Sequence, residues 1–365
     1  MGRSGLSGNK LEDGMSKSPK KRATIVDVAR ECGVPQATVA RVLNGQTGIR
    51  TKETTRKRVL EAAKKVGYQR NAIAANFRLQ QSNTIAVSIA DITNPFFPEL
   101  VKGIQSVLRE EGYSVVQLYN NWDAEVEQEH FDYMVRTCVE GAIISPADTA
   151  ADFETLDSIP FVLLSNADKH STYDTVGNDS RNGMRLALER LYELGHRRIA
   201  LFVGGSMRSG SNWRADLFRE FHRERGLSVS PEMLIESDFG VSSTSSFSGA
   251  RQIMNRFLDR PELPTAIFAS NDILALATLQ VAIEKDIKVP DQLSVVGMDG
   301  IFSGEVSYPP LTTIQKNRWE IGRTAALALL EKIRAPDEMP ARRQLLSCRL
   351  VERGSMGPAP TVGED

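Results

Sequence analysis

From residue 84 to about residue 300 the chain repeats one pattern, a short apolar run followed by a longer stretch with helical periodicity. TIAVSIA (84–90), SVVQLY (114–119), GAIIS (141–145), FVLLS (161–165), RIALFVG (198–204), TAIFAS (265–270) and QLSVVGM (292–298) have the length of strands. Stretches such as FPELVKGIQSVLREEG and RNGMRLALERLYELG have the length and spacing of amphipathic helices. Strands that are apolar throughout are buried on both faces, and their alternation with helices leads to parallel sheets covered on both sides. So many units exceed one ordinary sheet. The pattern predicts two doubly wound subdomains with a cleft between them, and in such sheets ligands meet the loops at the carboxyl ends of the strands.

The residues before this body are of another kind. Residues 1–80 carry 17 Lys and Arg against 6 Asp and Glu, whereas the rest of the chain carries 28 against 40. Such asymmetry points to a nucleic-acid-binding end attached to a body that does not bind nucleic acid. Gly, Ser and Lys dominate residues 1–21, which read as a disordered basic tail. TIVDVARECGVPQATVARVL then places Ile25, Val28, Ala29 and Cys32 on one helical face, breaks at Gly33, and places Val39, Val42 and Leu43 on a second. Thr24 is the expected cap of the first helix, Asp27 favours its positive end, and Gly33 supplies the left-handed turn. Val34 and Val39 close the wedge between the helices. This is helix-turn-helix spacing, in which the second helix enters the major groove by its N-terminal residues. Gln36, Ala37 and Arg41 would face the bases there: Gln pairs with adenine, Ala meets a thymine methyl, and Arg grips guanine or a phosphate. In a third helix, KETTRKRVLEAAKKVGY, we expect Val59, Leu60, Ala63 and Val66 inside, with Arg56, Lys57, Arg58, Lys64 and Lys65 outside and available to phosphates.

TIVDVARECGVPQATVARVLNG, TRKRVLEAAKKVGYQRNAIAANFR and NTIAVSIADITNPFFPELVKGI, in that order, resemble the LacI/GalR family of bacterial transcription regulators from about residue 23 to about residue 350. The resemblance implies an N-terminal all-α helix-turn-helix headpiece with a hinge helix. An α/β body of the periplasmic-binding-protein type would follow, built from two doubly wound subdomains. It assigns DNA contact to Thr24, Gln36, Ala37, Thr38, Arg41, Asn44, Asn71, Ala74 and Phe77. Phe77 occupies the hinge position at which the family inserts a Leu into the minor groove; it is either a wedge that kinks the duplex or a side chain packed on the body. Two further departures from the family are a loop, GQTGIRTKET, about two residues longer than usual, and Arg70 where a Pro often precedes the hinge Asn71.

The same resemblance assigns the cleft. Phe96 is the expected stacking ring beside the Asn94–Pro95 turn, and Phe97 belongs either to the cleft or to the core. Arg214 matches an Arg that binds a ligand hydroxyl or carboxylate, with Trp213 beside it to stack or to shield. Asp272 matches an Asp that accepts hydrogen bonds from ligand hydroxyls, a guanidinium and a carboxylate together suiting a sugar-like effector. The alternative is that Asn271 or Asp272 only caps the next helix. Ser165 and Asn166 stand where relatives commonly carry Asp and Arg or an aromatic, Leu217 stands where they usually carry Gly, and Asp299 ends a strand. Asp179 and Trp122 are weaker candidates of the same kind.

The expected organisation is a disordered basic tail (1–21), a helix-turn-helix DNA-binding domain (22–70), a hinge helix and linker (71–82), an effector-binding and dimerisation domain (83–350) and a disordered tail (351–365). No Ser/His/Asp arrangement, Walker-type phosphate loop or metal-ligand spacing accompanies the four His residues, so neither an enzyme nor a cofactor or metal protein is expected. His196, at a helix-to-strand junction, should satisfy a backbone carbonyl. Cys32, Cys138 and Cys348 are odd in number and widely spaced, as expected of reduced thiols in a cytoplasmic protein without a membrane span or signal peptide. A transport-type solute-binding protein would share the body but not the basic headpiece. The expected partners are double-stranded operator DNA, a small effector (a sugar, sugar acid or similar) and a second copy of the chain, since a single helix-turn-helix buries too little for tight specific binding. A homodimer, or a tetramer, follows. The expected function is a sequence-specific regulator, a repressor, whose DNA affinity an effector modulates; the alternative is a regulator that acts constitutively or through a protein partner.

Overall fold

The computed structural model describes residues 23–43, 51–68, 82–147, 152–165, 172–204, 213–237, 246–335 and 340–360. The chain divides into two compact units, Met1–Gln80 and Gln81–Asp365.

In the first unit, helix α1 (Ile25–Cys32) begins with a reciprocal cap. The Thr24 hydroxyl accepts from the Asp27 amide, and the Asp27 carboxylate accepts from the Thr24 amide at 2.9 Å. Gly33 ends the helix at φ 64°, donating its amide to the Ala29 carbonyl. Helices α2 (Gln36–Leu43) and α3 (Glu53–Lys65) complete the unit. Val28, Cys32, Val34, Val39, Val59, Ala62 and Ala63 form its core. One expectation fails here: Leu60 is 47% exposed. The helical repeat puts Val59, Ala62, Ala63 and Val66 on one stripe and leaves Leu60 about 100° off it, so Ala62 takes the inward place.

In the second unit the chain lays down strands β1 (Thr84–Ile89), β2 (Ser114–Tyr119), β3 (Gly141–Ile144), β4 (Phe161–Leu164) and β5 (Thr175–Asn178). It continues with β6 (Ile199–Gly204), β7 (Leu234–Ser237), β8 (Ala266–Ala269), β9 (Ser294–Asp299), β10 (Thr312–Gln315), β11 (Arg343–Leu346) and β12 (Arg349–Val351). Two six-stranded sheets result, ordered β11-β5-β4-β3-β1-β2 and β12-β10-β9-β8-β6-β7. All pairings are parallel except that of β12 with β10. The chain crosses between the lobes three times, after β5, after β10 and after β11. Strands β5, β7, β10, β11 and β12 go beyond the seven apolar runs, being only three or four residues long and too short to show alternation.

Helices α4 (Phe96–Leu108), α5 (Ala124–Arg136), α6 (Ser180–Glu193), α7 (Trp213–Glu224), α8 (Ser246–Phe257), α9 (Asp272–Glu284), the one-turn α10 (Phe302–Glu305) and α11 (Arg318–Arg334) accompany the sheets. In the first lobe Ile85, Val87, Ile143 and Val162 meet apolar residues of α4 and α11. Their alternating neighbours Ala86, Ala142, Ile144 and Leu163 meet Phe131, Met134 and Phe153. Helix α11 returns from the second lobe and packs on α4 at backbone contact distance. A Cβ on Gly322 would stand 2.0 Å from the Leu100 carbonyl oxygen, and one on Gly103 2.0 Å from that of Trp319. These two glycines let the helices approach.

The disordered tail expected from residue 351 is corrected as far as residue 360. Ser355 is fully buried; its hydroxyl accepts from the Thr312 amide at 2.8 Å and donates to the Val295 carbonyl at 2.6 Å. Beyond it, the Ala359 amide donates to the Leu194 carbonyl at 2.8 Å. His196 lies beneath this segment with Nε2 3.0 Å from the Gly357 carbonyl and Nδ1 2.9 Å from the Thr265 hydroxyl. The Gly- and Pro-rich composition of GSMGPAP suggests a linker, yet the backbone groups of the segment are consumed by the second lobe.

The helix crossing yields a stability test. Gly322→Ala should lower the unfolding free energy of the body by about 3 kcal/mol, because a backbone carbonyl has to move. Urea denaturation measures it, and a loss within experimental error would contradict the close approach.

Candidate nucleic-acid interface and effector cleft

On α2, Val39 is buried while Gln36 and Ala37 are exposed and Thr38 and Arg41 half-buried. Ala37 and Arg41, four residues apart, share a face of the helix, and Gln36 adjoins it at the helix start. The buried face packs on α1 and α3, so the outer face is free to meet a groove. Thr24 is exposed, but its hydroxyl is already engaged in the cap of α1. Arg56, Lys57, Arg58, Lys64 and Lys65 are exposed on α3, and Lys65 pairs with Glu31 at 2.6 Å. Asn44, Asn71, Ala74 and Phe77, and with them the hinge reading, lie outside the described residues.

In the body, the other candidates follow strands β1, β2, β4, β5, β6 and β8 or end β9. The Asn94 side chain accepts from the Phe96 amide at 3.0 Å, holding the turn that starts α4. Phe96 is half-buried. Phe97, left open between cleft and core, belongs to the core of the first lobe: it is 8% exposed, and the Phe96 ring meets it edge-on at 5.2 Å. Ser165 is half-buried at the end of β4, and Asn166 lies outside the described residues. Trp213 and Arg214 open α7, and the Trp213 ring has the guanidinium carbons of Arg214 and Arg181 at 4.5 and 5.1 Å from its centroid. Burial lowers the Arg214 pKa to about 10 against the opposing pull of Asp299. Asp179 caps α6, accepting from the Asn182 amide at 3.0 Å. Trp122 packs against the cores of both lobes.

Asn271 and Asp272 divide the roles left open between them. Asn271 caps α9, its side chain accepting from the Leu274 amide at 2.9 Å. Asp272 has no exposed surface; it accepts from the Thr313 hydroxyl at 2.6 Å and the Ile301 amide at 2.8 Å. Gly297 makes room for it, since a Cβ there would stand 2.2 Å from Asp272 Oδ1. Of the alternatives, the cap falls to Asn271 through its Oδ1, and Asp272, without exposed surface, forms the floor beneath the strand ends instead of presenting its carboxylate at the surface. Burial, reinforced by the neighbouring Asp299, pushes the Asp272 pKa up to about 7 against the hydrogen bonds from Thr313, Ile301 and the Gly300 backbone.

Asp299 ends β9 at φ 144°, followed by Gly300 at φ 74°, so the chain turns sharply where the lobes meet. Its carboxylate pairs with Lys316 at 2.8 Å, and its carbonyl accepts from Arg318 at 2.5 Å. Arg318, 8% exposed, also donates to Glu99 on α4 at 2.6 Å, and the Lys316 ammonium stands 5.3 Å from the centroid of Phe96. Glu99, Lys316 and Arg318 escaped the sequence reading. The only sign of them was the pair of cations in TTIQKNRWE, which sits in the crossover and reads as solvated charge until both lobes are in place.

Two family models match the chain: bacterial regulatory proteins of the lacI family over residues 24–71, and a periplasmic binding protein-like domain over residues 188–356. The chain is 31% identical over 344 residues to the HTH-type transcriptional repressor CytR of Escherichia coli strain K12, spanning 93% of this chain and 98% of that repressor. The chain belongs to the LacI family. The lac repressor dimer bound to operator and the anti-inducer ONPF superposes with a TM-score of 0.79 at 26% identity, over 92% of this chain and 100% of that one. A LacI family regulator of Enterococcus faecalis V583 with bound ribose gives a TM-score of 0.64 at 31% identity, over 75% and 99% respectively. As a member of the LacI family the chain is a DNA-binding transcription regulator and not an enzyme. No helix among the described residues is long and apolar enough to cross a membrane.

The raised Asp272 pKa fixes the sign of a pH effect. The folded chain holds this proton up to about pH 7, the unfolded chain only to about 3.8, so stability is lost as the pH rises through 7. Buried His196 and His222 act in the opposite sense, and only below their ordinary 6.5. Urea unfolding between pH 6.5 and 8 should therefore show stability falling with pH, and Asp272→Asn should flatten that fall. An equal slope in the variant would remove Asp272 as its source.

Proposed function

We propose that the protein is a repressor whose homodimer reads a near-palindromic operator through Gln36, Ala37 and Arg41 and responds to a small effector held between the lobes of the body. The observation that carries the reading is the outer face of α2, which presents Ala37 and Arg41 together at the start of a helix whose opposite face is buried. The exposed cations of α3 supply phosphate contacts that position the headpiece. Thr38 adds a backbone contact, and Asn44, Asn71, Ala74 and Phe77 extend the interface into the loop and hinge, Phe77 as the wedge between half-sites.

The effector site rests on Phe96, Trp213, Arg214, Asp299 and Ser165, in or after strands of both lobes, and the family resemblance adds Asn166, outside the described residues. Effector binding changes the relation of the lobes, and with it DNA affinity, by favouring one of two states. Self-association is supported by Phe302, Val306 and Tyr308, which are 66%, 75% and 85% exposed within seven residues of the second lobe, an unusual concentration of bare apolar surface.

Mobility-shift titration tests the DNA reading, using duplexes selected by the protein from a random library. Arg41→Ala should weaken binding by about tenfold or more and relax preference at one position in each half-site. Wild-type affinity should also fall steeply between 50 and 200 mM salt, on the order of a thousandfold for six or more phosphate contacts. An Arg41→Ala protein with unchanged affinity and selectivity would remove this helix from the role. For the cleft, a ligand that raises the melting temperature of the wild type should lose its effect in Arg214→Ala.

A further inference from the structure

We propose that Trp122 is a latch, mounted on the first lobe, that holds the second lobe against it at a place remote from the crossovers. The chain leaves one lobe for the other after β5, β10 and β11, each at or next to one end of its sheet. Strand β2 is the opposite end of the first sheet, and Trp122 follows it. There the half-buried ring packs against the core of the first lobe and also against that of the second, the cluster that contains Phe202, Ala269 and Leu274. An apolar contact thus joins the lobes where no covalent connection does.

The first lobe builds a firm mount for this ring. Asn121 and Trp122 have φ of 49° and 59°, in the left-handed region that bulky side chains rarely occupy. Such a backbone persists only where its surroundings over-determine it. Here the fully buried Asn120 does so: its Oδ1 accepts from the Trp122 amide at 3.0 Å, and its Nδ2 donates to Glu127 at 3.1 Å and to the Ser145 carbonyl at 3.3 Å. Glu127, 2% exposed, also accepts from the Ala147 amide at 2.8 Å. The amides of Asn120 and Asn121 donate to the carbonyls of Ile89 and Ala90. The turn is therefore tied to the ends of β1 and β3 and to α5, and Trp122 moves with the first lobe. Parting the lobes returns apolar surface of the ring and of its second-lobe partners to water, so its burial favours the joined arrangement. The consequence for DNA binding rests on the proposed coupling between lobe arrangement and operator affinity.

Hydrogen exchange of the full chain, read by mass spectrometry, tests the latch, because the substitution lies in one lobe and the readout in the other. In Trp122→Ala the second-lobe segments 270–275 and 299–303 should exchange about tenfold or more faster, with the amides inside β8 and β9 unchanged. Trp122→Phe, a smaller change that keeps an aromatic ring, should speed the same segments by about threefold and serves where the alanine variant folds poorly. A Trp122 that served only its own turn would speed exchange in residues 119–127 and leave the second-lobe segments as they were, and that result overturns the latch. Equal acceleration inside β8 and β9 in both variants, the mark of general unfolding, overturns it as well. Operator affinity of the same proteins should differ from wild type by about threefold or more. Faster exchange in the second-lobe segments with unchanged operator affinity supports the latch and overturns the coupling of lobe arrangement to DNA binding instead.

Discussion

The two lobes of the body are joined by a chain of charges running from Glu99 through Arg318 to the Asp299 carbonyl, and from the Asp299 carboxylate to Lys316 over Phe96. Groups withdrawn from water carry a desolvation cost of several kcal/mol per ion, and it is offset only when each has a partner in good geometry. Here the partners come from α4, from the end of β9 and from the crossover after β10. Any motion that separates the lobes has to re-pair them. The relation of the two lobes is thus tied to these few side chains and to the backbone at the end of β9.

Much of this arrangement follows from how the chain is threaded. Three crossings between the lobes bring β11 back to the first sheet and β12 to the second, so neither lobe is made of one continuous stretch. Helix α11 is the longest element among the described residues and approaches α4 closely at the facing glycines Gly103 and Gly322. Residues 352–360 then close over the second sheet, with Ser355 bonded to both neighbouring segments. Through these returns the cleft residues of one lobe are held by segments distant in sequence: Arg318 is 219 residues from Glu99.

The headpiece is organised differently. Its core is formed by three helices within about forty residues, with caps and turns set by neighbours in sequence, as in the Thr24–Asp27 pair and at Gly33. Such local determination is why the helix-turn-helix, the outward face of α2 and the basic surface of α3 were legible from periodicity. The miss at Leu60 came from assigning inward positions by apolarity without following the helical angle.

What the sequence determined by itself was the class of each unit: a basic three-helix end and a body of alternating strands and helices, with Asp299 at the end of a strand. Periodicity and local capping are short-range properties, and they survive being read one segment at a time. Only the tertiary structure decided which polar residues face the junction and which the protein consumes. Asn271 became a cap, Asp272 a sealed floor, Phe97 a core ring, and the expected tail up to residue 360 a packed segment. Lys316 and Arg318 became the cations at the lobe junction. Each of these outcomes depends on a partner from a distant part of the chain, because a buried charge or backbone group is defined by what satisfies it.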